Sequence, residues 1–121
     1  MKKTILFVDD DQGILKLANI FVFGIECNLL LADSGEKAIE IIKNNPQLDL
    51  IFLDLMMSDV DRFDVMEYIK DAGIKVPVIV QSGVIHDDDL NRVKELGAAD
   101  FIQKPYTSTT AKDLINRYIS N

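Results

Sequence analysis

Two apolar runs of this chain each end on aspartate. Ile5-Leu6-Phe7-Val8 leads straight into Asp9-Asp10-Asp11, and Leu50-Ile51-Phe52-Leu53 leads straight into Asp54. Buried as neighbouring parallel strands, the two runs set their carboxylates side by side at one edge of a sheet. Like charges that close raise one another's pKa or demand a cation. A cluster of carboxylate oxygens suits a hard divalent ion such as Mg²⁺. Ser82 and Lys104 come one glutamine after two further apolar runs, adding a hydroxyl and an amine at, or just past, strand ends of the same type.

The elements that must carry these residues alternate along the chain. Strands are expected at Thr4–Val8, Asn28–Leu31, Leu48–Leu53, Val76–Gln81 and Ala99–Gln103. Ile51-Phe52-Leu53 and Val78-Ile79-Val80 are apolar without alternation, as strands covered on both faces require. Longer helical patterns separate them. The first is expected from Asp11 to about Gly24, with Gln12, Lys16 and Asn19 as its polar stripe and Ile14, Leu17, Ala18 and Phe21 turned inward. Ser34 or Asp33 caps the second, Asp61 the third, Asp87-Asp88-Asp89 opens the fourth and Thr107 the last. Strict alternation of this kind predicts an α/β fold: a (βα)₅ doubly wound, five-stranded parallel sheet with right-handed crossovers and helices on both faces. Ligands of such sheets bind beyond the carboxyl ends of the strands, where Asp9, Asp10, Asp54, Ser82 and Lys104 are expected to lie.

At 121 residues, 48% hydrophobic and 27% charged, the sequence reads as one domain, residues 1–121, with enough apolar side chain for a core. A net charge of −7 argues against sequence-independent nucleic-acid binding, which needs a basic face. The apolar run after Lys2-Lys3-Thr4 is too short for a signal peptide, and no stretch approaches the roughly 20 apolar residues of a membrane span. Cys27 is the only cysteine, so no internal disulfide forms, in keeping with a reducing cytoplasm. Its neighbours Glu26 and Asn28 supply no cation to activate it, and a structural thiol is expected.

Residue by residue, the five chemistry-bearing positions resemble the active site of receiver domains of two-component response regulators. The resemblance is carried by Ile5-Leu6-Phe7-Val8-Asp9-Asp10-Asp11, Leu53-Asp54-Leu55-Met56-Met57, Val78-Ile79-Val80-Gln81-Ser82-Gly83 and Phe101-Ile102-Gln103-Lys104-Pro105-Tyr106, in that order and at (βα) spacing. It implies a flavodoxin-like sheet with strand order 2-1-3-4-5. It implies that Asp54 accepts a phosphoryl group, a known role of carboxylate nucleophiles. Asp10 and Asp54 then ligate Mg²⁺ directly, Asp9 acts mainly through water, and the Met56 carbonyl adds a backbone oxygen. Lys104 and Ser82 pair with the phosphate oxygens, and the Lys104-Pro105 peptide is cis, which proline permits. Ser82 and Phe101 form the switch, Phe101 standing where the family places an aromatic that turns inward on phosphorylation. A sensor histidine kinase or histidine phosphotransfer protein is the expected donor. Output is expected through a protein partner or an output domain outside this sequence, with neither nucleic acid nor membrane bound by this domain.

Two positions depart from the family pattern. Ser58 and Arg62 stand where proline and glycine are common after the phosphorylated aspartate, so the loop there is either rebuilt or strained. Arg62 itself is expected to be solvated, as is His86. Phe23, on the polar stripe of the first helix, is a candidate kinase contact, and Met56 and Val84 flank the expected phosphate. Two rival functions follow from the same residues. A phosphohydrolase of the haloacid-dehalogenase type also uses a strand-end aspartate, but needs an acid two residues later, where this chain has Met56. A receiver-like scaffold would bind partners without phosphorylation, and the intact acids, Ser82 and Lys104 speak against it. The expected protein is therefore a phosphoacceptor, not an enzyme with a separate substrate.

Overall fold

A computed structural model describes residues 2–83 and 86–119. Strands and helices alternate as β1 (Lys3–Val8), α1 (Gln12–Phe21), β2 (Cys27–Ala32), α2 (Gly35–Asn44), β3 (Leu50–Asp54), α3 (Asp64–Asp71), β4 (Val78–Ser82), α4 (Asp87–Glu95), β5 (Asp100–Gln103) and α5 (Ser108–Ile119). All neighbouring strands are parallel, in the order β2-β1-β3-β4-β5. This is the expected fold. β4 begins at Val78 and not at Val76 because Pro77 has no N–H to give the ladder; its carbonyl still accepts from the Ile51 N–H at 3.0 Å.

Alternation along the strands divides the core in two. Leu6, Val8, Ile51, Leu53, Val78 and Val80 pack against α2, α3 and α4, while Ile5, Phe7, Leu50, Phe52 and Ile79 pack against α1 and α5. Phe7 and Phe52 stack across neighbouring strands, with ring centroids 4.4 Å apart. Deleting such a buried ring costs about 3–5 kcal/mol, so this pair clamps β1 to β3 just before both strands deliver their aspartates.

The helices differ from expectation in identifiable ways. α1 stops at Phe21, where the Lys112 ammonium crosses from α5 and donates to the carbonyls of Ile20, Phe21 and, in the following turn, Phe23, at 2.9, 3.3 and 2.6 Å. Phe23 therefore lies in the turn beyond the helix, 81% exposed, with Lys112 over its ring. The buried stripe of α1 is Leu15, Ala18 and Phe21; Ile14 is half-buried and Leu17 is exposed. Asp61 does not cap α3. The relation is reversed: the Asp64 carboxylate accepts from the Asp61 N–H at 3.0 Å. Asp11, Ser34 and Thr107 do cap, accepting from Gly13, Lys37 and Thr110 N–H groups. Cys27 is half-buried in β2, and burial pushes its thiol upward, as for an inert structural cysteine.

Candidate functional site

Register alone brings the acids together. Val8 pairs with Leu53, so Asp9 and Asp54 follow as neighbours one step beyond, and Asp54 is in turn level with Gln81 of β4. Asp9 and Asp54 are buried, Asp10 is exposed, and one carboxylate oxygen from each lies within 4.8 Å of the others. Lys104, just past β5, closes the cluster. Its Nζ lies 2.6 Å from Asp9 Oδ2 and 3.3 Å from Asp54 Oδ2. The lysine is brought there from its backbone upward: its N–H donates to the Ser82 carbonyl at 2.8 Å, and the Lys104-Pro105 peptide is cis. Ser82 is buried at the end of β4.

Burial disfavours the ionised form of Asp54 and, with the Asp9 charge, pushes its pKa up to about 6; the Met56 N–H on Oδ1 at 3.1 Å and the Lys104 ammonium pull the other way. Lys104 is opposite in balance. Burial alone would lower it, but the hydrogen bond to Asp9 and the charge of Asp54 outweigh burial and raise it, so it remains an ammonium. The pocket thus holds more carboxylate than cation. All its donors to an incoming ion are hard oxygens, which fits Mg²⁺ and excludes a soft-metal site.

The loop after Asp54 is rebuilt and not strained: no non-glycine residue among those described has positive φ. Asp59 supplies the new anchor. Its carboxylate accepts from the Gly35 and Glu36 N–H groups at the start of α2, both at 3.0 Å, and these bonds hold its pKa below the usual carboxylate value. Val60 then lies over Gly35, so close that a Cβ there would meet Val60 Cγ2 at 2.3 Å. Arg62 is not simply solvated. It lies 3.1 Å from Asp89 at the start of α4 and stacks over Phe63. This ion pair gives one member of the Asp87-Asp88-Asp89 run a partner, as a helix-opening acid and not a metal ligand.

Met56 is exposed at the mouth of the pocket, whereas Val84 lies outside the described residues. Phe101 is half-buried against the face that carries α4, near Leu90 and Val93. His86 is exposed. Two participants were missed. Gln81 and Tyr106 lie within the recognised stretches, yet they form a hydrogen-bonded pair that ends on Asp9. The available signal was an amide inside an otherwise apolar strand.

A family model described as "Response regulator receiver domain" matches residues 5–116. The response regulator GtcR of Aneurinibacillus migulanus is 35% identical over 111 residues, which cover 92% of this chain and 45% of that protein. The chain spans less than half the length of this and the other curated relatives compared with it. The signal receiver domain of a DNA binding response regulator protein from Colwellia psychrerythraea 34H superimposes with a TM-score of 0.87 at 25% identity, covering 99% of this chain and 100% of that one. CheY in the CheX-CheY-BeF3-Mg complex from Borrelia burgdorferi is similar, at a TM-score of 0.89 and 23% identity over 98% of this chain and 90% of that one.

Proposed function

The chain belongs to the response regulator receiver domain family, and on that premise we propose that residues 1–121 form one receiver domain whose Asp54 accepts a phosphoryl group. The observation that carries this reading is the convergence of Asp9, Asp10, Asp54 and Lys104 from three strand ends on one pocket. In the transfer, an Asp54 carboxylate oxygen bonds to phosphorus as the bond from phosphorus to the donor's imidazole nitrogen breaks, and the histidine leaves as a neutral side chain once protonated. Such a reaction asks for placement and charge neutralisation more than covalent help.

Mg²⁺ would be held by Asp10, Asp54 and the Met56 carbonyl, with Asp9 in support, and would neutralise the charge of the phosphoryl oxygens. The Mg²⁺ in the Borrelia burgdorferi complex supports this choice of ion. Lys104 keeps a proton throughout and is within reach of Asp54, so it offers a cation to one phosphate oxygen. Ser82 offers a hydroxyl to another, and Phe101 behind it responds to that movement. A sensor histidine kinase or phosphotransfer protein is the donor and a further protein or output domain the recipient of the signal. No helix among the described residues is long and apolar enough to cross a membrane, and the net charge of −7 disfavours a nucleic-acid partner. We place the protein in the cytoplasm, acting on no separate substrate.

Incubation with acetyl phosphate and Mg²⁺, followed by intact mass, tests the reading. Wild type should gain one phosphoryl group and Asp54→Asn none; a wild type whose mass never rises, or a variant that labels equally, overturns it.

A further inference from the structure

Gln81 stands in the middle of the sheet with no exposed surface, on a strand that is otherwise Val78-Ile79-Val80 before it. An apolar side chain would fill that space with nothing to satisfy. An unpaired amide there costs about 1–3 kcal/mol, so glutamine is tolerable only when its polar atoms are matched. They are. Nε2 donates to Asp9 Oδ2 at 3.3 Å and to the Val8 carbonyl at 3.4 Å, and Oε1 accepts from the Tyr106 hydroxyl. Tyr106 is seated by its ring, 5.3 Å from that of Phe21.

The tyrosine hydroxyl decides which end of the amide faces the acid. With Oε1 held by Tyr106, Nε2 must face Asp9; the reverse orientation would set two oxygens against each other. Asp9 Oδ2 is shared between this amide and Lys104 at 2.6 Å, while Asp9 Oδ1 accepts from the Asp11 N–H at 2.9 Å. The two donors to Oδ2 differ in freedom. Lys104 is partly exposed and also reaches Asp54, whereas Gln81 is fixed in the sheet. A neutral donor also holds the carboxylate without spending the negative charge that attracts a cation.

We propose that Gln81, oriented by Tyr106, is a positioning residue that keeps the Asp9 carboxylate set for Mg²⁺ when Lys104 turns to a phosphate on Asp54. The inference rests on the pocket being the Mg²⁺ site proposed above. Hydrogen-bond partners of a direct metal ligand typically govern affinity by tenfold or more; Asp9 acts on the ion through water, so Gln81 stands one layer further out and its effect should be about threefold.

The test is the Mg²⁺-dependent rise in melting temperature of wild type, Gln81→Leu, Tyr106→Phe and the double variant, each purified free of metal. Half-saturation should need about threefold more Mg²⁺ in each single variant. The double variant should be no worse than Gln81→Leu, because Tyr106 acts through the amide. The metal-free melting temperature reads packing separately, and a merely structural role would move that value alone. Unchanged half-saturation in both single variants, or losses that add in the double, overturns the proposal. A wild type that responds to Mg²⁺ while the variants match it sinks the relay only. If the wild type does not respond, the metal reading fails and the relay with it.

Discussion

Lys104 lies nearer to Asp9 than to Asp54, 2.6 Å against 3.3 Å, although Asp54 is the proposed phosphoacceptor. Without phosphate the ammonium is thus held mainly by the acid that is not the proposed acceptor. Lys104→Met leaves two buried carboxylates without their cation. Losing a charged hydrogen-bond partner costs about 2 kcal/mol, so the metal-free protein should melt several degrees lower at pH 7.5, and Mg²⁺ should restore part of the loss. Calorimetric melts with and without Mg²⁺ check this; a variant as stable as wild type would mean the ion pair contributes nothing.

The raised pKa of Asp54 has a definite sign. Its ordinary value is 3.8 and its folded value about 6, so between them the folded protein holds more proton than the unfolded chain. Stability of the metal-free protein therefore falls as pH rises through that window and stays lower above it. Asp54→Asn, which cannot ionise, should escape the loss. Its melting temperature in EDTA should exceed that of wild type at pH 7.5, with the gap closing toward pH 3.8. A constant gap across pH would remove burial of the Asp54 charge as the cause.

Asp9 and Asp54 were legible because each ends a strand-length apolar run, and parallel pairing leaves such ends no other place to go. Gln81 and Tyr106 were not, since they are 25 residues apart and only the β4–β5 register joins them. The phase of α1 was misread for a related reason. Ile14-Leu15 and Leu17-Ala18 are adjacent apolar pairs, and a helical period cannot choose between members of a pair until the sheet selects Leu15 and Ala18. Arg62 reaches Asp89 in the first turn of α4 from a loop, and loop paths carry no period to read.

Arg62 and Asp89 join the loop after Asp54 to the start of α4. The arginine side chain is 45% exposed and open to solvent screening, so the pair should be worth at most about 1 kcal/mol. Its effect should be local. Arg62→Gln should leave the melting temperature nearly unchanged while hydrogen exchange quickens at amides 87–90. Asp89→Asn in the same background should add little. Exchange at the start of α4 indifferent to both changes would show that the pair does not hold this turn.

Gly35 lies beneath Val60, and the space between them admits no methyl group. A Cβ at 35 would stand 2.3 Å from Val60 Cγ2 and 3.0 Å from Cγ1. Val60 cannot swing clear cheaply, because a β-branched side chain has few χ1 positions. Relief must come from the backbone of the loop, which Asp59 ties to the same helix end through the Gly35 and Glu36 N–H groups. Gly35→Ala should therefore push the loop away from α2, cost about 1–3 kcal/mol as an overpacked contact, and weaken the Mg²⁺-dependent stabilisation because Met56 shares the loop. Adding Val60→Ala removes the two methyl groups that clash, so the double variant should recover Mg²⁺ half-saturation toward the wild-type value even though it loses some packing. Rescue by Val60→Ala would tie the loop position to this one contact. A double variant as impaired as Gly35→Ala would instead place the fault in the helix cap.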